Sequence, residues 1–279
     1  MDPAELLAAY DAQLREEAEV ARATAWQRHG PLLWACFGDQ GFTSYRTLGG
    51  AEGAQLDALI DDTIVHFRDG TDVATVEWKT RGHDPVPELD ARLAARGFVA
   101  RELETVMVGE AEALAGDVPI PADVTIRRAG ERLDLAVDVE RAAAMQVQVF
   151  GRSAGEGPDR VAAQLAADPQ GYQMWLAEAG GQVIGVGTVD VVPGTQFAGL
   201  WGGAVAARWR GRGIYRALVS VRARAAIAAG ALYLHSDCTP MSRPILERSG
   251  LAAVTTTTPY EWRRAGGGAA GANAGGASA

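Results

Sequence analysis

Residues 205–216 read Val-Ala-Ala-Arg-Trp-Arg-Gly-Arg-Gly-Ile-Tyr-Arg, and their types and spacing fit the binding of an anion. A strand is expected to end near Val205 and a helix to begin near Gly211, which makes the residues between them a turn rich in glycine and arginine. Glycines let backbone approach a ligand closely, and the first N–H groups of a helix have no partner inside it. The positive end of the helix dipole adds to this, so phosphate or pyrophosphate is the chemistry such a turn takes up. Guanidinium groups add paired hydrogen bonds to phosphate oxygens. The surrounding composition agrees: the 46 residues between Asp190 and Asp237 hold no Asp or Glu, yet carry Arg208, Arg210, Arg212, Arg216, Arg222 and Arg224. A basic helix face in water is the alternative reading of the same charges. No Gly-Lys-Ser/Thr step follows the turn and no complete Gly-x-Gly-x-x-Gly opens a strand–helix unit, which excludes the P-loop and the Rossmann fingerprint.

The rest of the chain must position that turn. Its 279 residues favour two domains, and 48% apolar with 22% charged residues is globular composition. No apolar run approaches the length of a membrane span, and Met1-Asp2-Pro3-Ala4-Glu5 shows no secretory signal. With only Cys36 and Cys238, a disulfide framework is not expected. These features imply a soluble cytoplasmic protein. A net charge of −9, from 26 basic and 35 acidic residues, opposes nonspecific nucleic-acid or membrane partners. One of the basic residues, Lys79, is a lysine; the others are arginine.

Periodicity predicts a mixed α/β chain. Asp2, Pro3 and Glu5 form a capping-box start for a helix running to about Arg22. A hairpin at 32–37 and 42–48, a helix at 53–68, a strand at 73–78, a helix at 88–96 and a strand at 98–108 complete the first half. Residues 109–122 read as the linker. The second half is strand 124–128, helices 133–150 and 159–167, strands 172–177, 182–192 and 197–205, helix 211–229, strand 231–235, helix 240–249 and strand 252–262. Asp84-x2-Pro87-x5-Leu93-x3-Gly97-Phe98 repeats as Asp237-x2-Pro240-x5-Leu246-x3-Gly250-Leu251, at a constant offset of 153. Two copies of one strand–helix–strand unit account for this. The Gly/Ala-rich stretch 265–279 has nothing to bury and is expected to be a disordered tail.

Arg208-x-x-Gly211-x-Gly213 resembles the Arg/Gln-x-x-Gly-x-Gly/Ala signature of the GNAT (GCN5-related N-acetyltransferase) family. The element order over 123–263 and the ending Ser242–Leu251 are similar too. The resemblance implies two tandem GNAT-like domains in an α+β mixed sheet: an incomplete one over 1–115 and a complete, acetyl-CoA-binding one over 116–264. It implies acetyl-CoA as co-substrate with no metal. Ala204 and Val205 would bond the pantetheine arm, and Arg210, Gly211, Arg212, Gly213, Ile214 and Tyr215 would hold the pyrophosphate. A backbone N–H at the end of the signature strand would face the thioester oxygen. The acceptor would be a small-molecule or peptide amine attacking the thioester directly, with self-association into a homodimer left open. The first half's equivalent turn, Leu48-Gly49-Gly50-Ala51-Glu52-Gly53, carries an acid that would repel a pyrophosphate, so no cofactor is expected there.

The chain also departs from the family. Leu246 stands where many members have a tyrosine acid, and Leu200–Ala204 contains no glutamate base. Proton transfer would then fall to Asp237 and Tyr260 as the catalytic candidates, with Tyr215 and His235 beside them. The structural readings come first for each: Asp237 as a helix cap, Tyr260 as a half-buried strand aromatic, His235 as a core histidine and Cys238 as a small buried residue.

Overall fold

The computed structural model describes residues 1–84, 86–151 and 157–264; the expected tail at 265–279 lies outside them. In chain order the elements begin with α1 (Pro3–Gln13), β1 (Ala25–His29), β2 (Leu32–Phe37), β3 (Gln40–Tyr45), α2 (Gly53–Gly70), β4 (Thr75–Arg81), α3 (Leu89–Ala95) and β5 (Val99–Ala100). They continue with β6 (Glu104–Glu110), α4 (Ala111–Leu114), β7 (Val124–Arg128), α5 (Leu135–Phe150), α6 (Pro158–Ala167), β8 (Tyr172–Ala179) and β9 (Gln182–Val191). The remainder are β10 (Phe197–Val205), α7 (Ile214–Ala228), β11 (Tyr233–Cys238), α8 (Arg243–Ser249) and β12 (Ala252–Arg263).

These elements form two compact units. The C-terminal unit takes Met1–Ala8 and Thr105–Val254; the N-terminal unit takes Ala9–Glu104 and the described residues from Thr255 onward. The expected linker at 109–122 therefore lies inside the C-terminal unit, where it supplies the end of β6, α4 and the approach to β7.

Local chemistry accounts for most element boundaries. Asp2 Oδ1 accepts from the Ala4 and Glu5 amides at 2.8 and 2.9 Å, and Glu5 returns a bond to the Asp2 amide at 3.0 Å, which is the expected capping box. The helix stops at Gln13 rather than near Arg22; Glu16 has φ of 61° and opens a separate 3-10 turn, Glu16–Val20. Strand β1 was not foreseen, because four of its five residues are exposed and give no alternating signal. The strand expected at 98–108 is divided into β5 and β6.

In the N-terminal unit the strand order is β1-β2-β3-β4-β12, with β5 on β12. Helix α2 buries Leu56, Ile60, Thr63 and Phe67, spaced for one helical face, against a core that includes Trp34, Tyr45, Trp78 and Leu93. Gly41 lacks the Cβ that would stand 2.8 Å from the Phe67 ring. Trp78 is completely buried, and truncating such a ring to alanine costs about 3–5 kcal/mol.

In the C-terminal unit the order is β6-β11-β10-β9-β8-β7. α7 packs with α4, Met107, Leu234, Cys238 and Leu246 on one face of the sheet, while α5 and α6 cover Met174, Leu176, Val186 and Ala204 on the other. A buried charge cluster fixes α5. Arg127 grips Asp138 through two bonds of 2.5 and 2.7 Å and also reaches Glu178, with Arg141 bridging the same two carboxylates. Together they hold Asp138 well below the usual carboxylate range against the opposing effect of its burial.

Both units contain a parallel strand pair joined through a helix: β3 to β4 across α2, and β10 to β11 across α7. Each is followed by a short helix, α3 or α8, that ends on a left-handed glycine, Gly97 (φ 86°) or Gly250 (φ 112°), after a buried leucine, Leu93 or Leu246. The repeated sequence thus corresponds to a repeated topology.

The two parallel pairs are completed differently. β3 and β4 pair from Gln40↔Thr75 to Thr43↔Trp78. Beyond that point charged side chains fill the space. Arg15 donates to the Tyr45 carbonyl at 2.6 Å and to Asp84 at 2.8 Å. Glu19 joins Ser44, Arg81 and, at 3.4 Å, Lys79. Burial raises the Glu19 carboxyl, but Arg81, Lys79 and the Ser44 hydrogen bond outweigh it and hold its pKa down at about 2. A carboxyl depressed in the folded chain contributes stability that is complete above its unfolded pKa of about 4.3 and disappears as pH falls toward 2. Thermal melting between pH 7 and pH 2 should therefore show a loss on the order of 3 kcal/mol concentrated below pH 5. Glu19→Gln should melt lower at pH 7 and lose most of that acid dependence.

Candidate active site

The signature turn grows directly from β10. The Ala206 amide closes on the Ile184 carbonyl at 2.9 Å, a 3-10 turn covers Ala207–Trp209, and Arg210 returns to extended backbone before α7 begins at Ile214. Gly211 and Gly213 both lie in the left-handed region, with φ of 74° and 83°. They do different work. A Cβ on Gly213 would stand 2.7 Å from the Pro119 carbonyl oxygen, so that glycine lets the chain's own backbone pass. A Cβ on Gly211 would meet nothing within 4 Å, so the space beside it is open. An open backbone cradle at the start of a fifteen-residue helix fits a phosphate-bearing ligand.

The arginines divide in the same way. Arg208 donates to Gln182 Oε1 at 2.7 Å, Arg210 Nε to the Val205 carbonyl at 3.1 Å, and the Arg212 guanidinium lies 4.9 Å from the Trp209 ring centre. Among the described residues no carboxylate forms an ion pair with Arg208, Arg210, Arg212 or Arg216. Their charge is thus available to an anion. Asp123, Gln182, Arg208, Trp209 and Arg212 line an open groove of about 510 Å³ beside the turn. Arg224 instead pairs with Asp117 at 2.9 Å, and Arg222 is fully buried.

Next to the turn the sheet opens. β10 and β11 pair at three positions only, Phe197↔Tyr233, Ala198↔Leu234 and Gly199↔His235. Past them the strands part. The Ser236 hydroxyl reaches the Leu200 carbonyl at 3.0 Å where the ladder ends. On its other edge β10 bulges between Trp201 and Ala204, around Gly202 with φ of 60°. Side chains take the bulge carbonyls: Thr188 Oγ1 donates to Trp201 at 3.1 Å, and Gln146 Nε2 to Gly202 at 3.0 Å. Ala204 and Val205 bury their side chains in the cores under α5 and α7 respectively. Their role in binding falls to backbone.

The expected cofactor residues, Ala204, Val205 and Arg210–Tyr215, are therefore contiguous along the edge of the gap and its mouth. The two expected catalytic residues belong to different units. Asp237 lies buried near the end of β11, opposite Val106, in the C-terminal unit. α8 starts only at Arg243 with Ser242 in the N-cap position, so Asp237 is not that helix's N-cap residue. Tyr260 belongs to the N-terminal unit, with its ring in that core beside Trp78. Burial and a hydrogen bond to Asp90 raise its hydroxyl to about 12. His235 sits edge-on to Trp201 and Phe197, at 5.2 and 6.2 Å between ring centres, and Cys238 is buried in the α7-side core.

Sequence spacing singles out neither Gln146 nor Ser236, and Arg222 enters only as one of the arginines of the basic segment. A signal existed for Arg222 alone: it lies four residues beyond Leu218 on the buried face of α7, where an apolar residue belongs. Gln146 and Ser236 act through contacts with no sequence spacing.

Residues 136–247 match the model of the Acetyltransferase (GNAT) family. Among solved structures, a GCN5-related N-acetyltransferase from Kribbella flavida superposes with a TM-score of 0.65 at 16% identity, covering 95% of this chain and 96% of its own. A GCN5-related N-acetyltransferase from Sphaerobacter thermophilus gives 0.62 at 16% identity, with 93% and 91% covered. A tandem GNAT protein from the clavulanic acid biosynthesis pathway gives 0.54 at 15% identity, with 83% and 78% covered. No curated protein matches the chain in sequence. The fold is that of the GNAT proteins across most of the chain, and residues 136–247 carry the match to the family model of these acyltransferases.

The two glycines give a test. Gly211→Glu should abolish binding of CoA to the turn while lowering stability only by the roughly 1–2 kcal/mol of a left-handed side chain. Gly213→Glu should additionally displace the 118–119 backbone and lower the melting temperature markedly. Calorimetric titration with CoA, paired with thermal melting of each variant, separates the two effects.

Proposed function

We propose that the protein is an acetyl-CoA-dependent N-acetyltransferase that passes the acetyl group to a primary amine by direct attack. The observation that carries this reading is the parting of β10 and β11 after Gly199↔His235, with an uncompensated basic turn at its mouth. The backbone of Ala204 and Val205 would bond the pantetheine arm as an added strand would. The amides of Gly211 to Tyr215, with the Arg210 and Arg212 guanidinium groups, would hold the pyrophosphate. Acetyl-CoA supplies the activated acyl group. The chain's residues hold amine and thioester together, which removes most of the entropic barrier without a covalent enzyme intermediate. Asp237, at the end of β11, is the candidate base.

The acceptor in this reading is a small-molecule or peptide amine, met in the cytoplasm, with neither nucleic acid nor membrane as partner. No helix among the described residues is long and apolar enough to cross a membrane. A second reading, an acyl-CoA-binding sensor without turnover, draws on Leu246, whose buried hydrocarbon can transfer no proton.

Titration of acetyl-CoA should show one site per chain, abolished by Arg212→Glu. CoA release with a panel of primary amines should exceed background and fall at least tenfold in Asp237→Asn at unchanged acetyl-CoA affinity. Tight binding with no turnover on any amine would select the sensor; absence of binding would reject both readings.

A further inference from the structure

Arg222 is a buried guanidinium with 1% of its surface exposed and no carboxylate ion pair among the described residues. It crosses beneath two strands. Nε bonds the Leu218 carbonyl at 2.9 Å, and one terminal nitrogen bonds the Thr188 carbonyl at 3.0 Å and lies 3.5 Å from that of Trp201. Space for it is reserved at Gly187, where a Cβ would fall 2.6 Å from the guanidinium carbon. A buried charge is costly unless it is paired and hydrogen-bonded.

Its other neighbour is Tyr215, whose hydroxyl faces the guanidinium. The Tyr215 ring lies against β10 at Gly203: a Cβ there would stand 3.0 Å from the ring edge and 3.2 Å from the hydroxyl oxygen. The ring also packs against the core that holds Cys238, on β11. Gly203 and Cys238 belong to the two strands that part after Gly199↔His235. A hydroxyl close to both lies beneath the gap. Burial pushes it up, with Arg222 pulling the other way, so it keeps its proton at neutral pH. Cys238 is the other titratable group on this face; His235 and Asp237 alternate onto the opposite one.

Resting on the acyl-transfer reading above, we propose that the Tyr215 hydroxyl, backed by Arg222, is the hydrogen-bond donor that meets the departing CoA sulfur. As the amine lone pair forms the C–N bond, the C–S bond breaks and its electron pair stays on sulfur. Tyr215 gives its proton to that sulfur, and Arg222 faces the resulting phenolate. The proton shed by the new ammonium, carried by water, restores the hydroxyl. Tyr215 is then the proton donor and Arg222 its positioning residue.

The test needs no acceptor. CoA, the free thiol, is bound to the parent and to Tyr215→Phe, and its ionisation is followed by thiolate absorbance against pH. The parent should lower the bound thiol's pKa by one unit or more from the value measured for CoA free in solution, whereas Tyr215→Phe should return it toward that value at a CoA affinity within twofold of the parent. An unshifted thiol in the parent, or an equal shift in both proteins, overturns the assignment and leaves the acyl-CoA reading standing. Loss of CoA binding in Tyr215→Phe alone also overturns it, by making Tyr215 a binding residue. If the parent itself binds no CoA, both fall together.

Discussion

A strand that leaves its neighbour exposes amides and carbonyls that some other group must satisfy, and the C-terminal unit is organised around that demand. β10 and β11 separate after three residue pairs. Ser236 takes the Leu200 carbonyl where pairing fails, Gln146 and Thr188 take those of the bulge, and Arg210 takes that of Val205. Each arrives from a different element, so the gap is held open by the sheet, α5 and the signature turn together. Water alone could satisfy such groups, but it would not fix their direction. Side chains that claim the carbonyls fix the peptide planes for a ligand that bonds what remains.

The N-terminal unit meets the same demand from within. Its parallel pair also gives out, after Thr43↔Trp78, and Arg15 and Glu19 close the space with charged bonds to Tyr45, Asp84, Ser44 and Arg81. One topology thus has two endings. Where the chain supplies its own ions, the edge becomes a rigid part of the core. Where it leaves arginines without acid partners at the mouth, the edge stays open. The difference rests on a handful of residues and not on the fold. That fits Glu52 in the N-terminal turn against Arg210 and Arg212 in the other.

The sequence was legible where physics is local. Asp2-Pro3-Glu5 announced a capping box, alternating apolar residues announced the strands of the second half, and glycine with arginine announced the signature turn. The offset of 153 foretold a repeated topology. What stayed hidden depends on partners distant in sequence. Nothing near Gln146 says that it bonds Gly202, and nothing near Gly213 says that the Pro119 backbone lies against it. Nothing in the spacing around Tyr260 shows that its ring joins the core with Trp78. Strand β1, exposed on both faces, offers no periodicity to read.

The pairing of Lys79 with Glu19 has a consequence of another kind. Lys79 is the single lysine in 279 residues, and its side chain is 13% exposed. Basic character elsewhere is carried by guanidinium groups, which stay protonated and are poor nucleophiles at neutral pH. A reagent that acylates side-chain amines therefore finds one lysine on this chain, mostly covered and held in an ion pair. Its side-chain amines are thus nearly silent toward activated acyl groups, and amine-directed labelling of side chains would report the opening of the N-terminal core and little else.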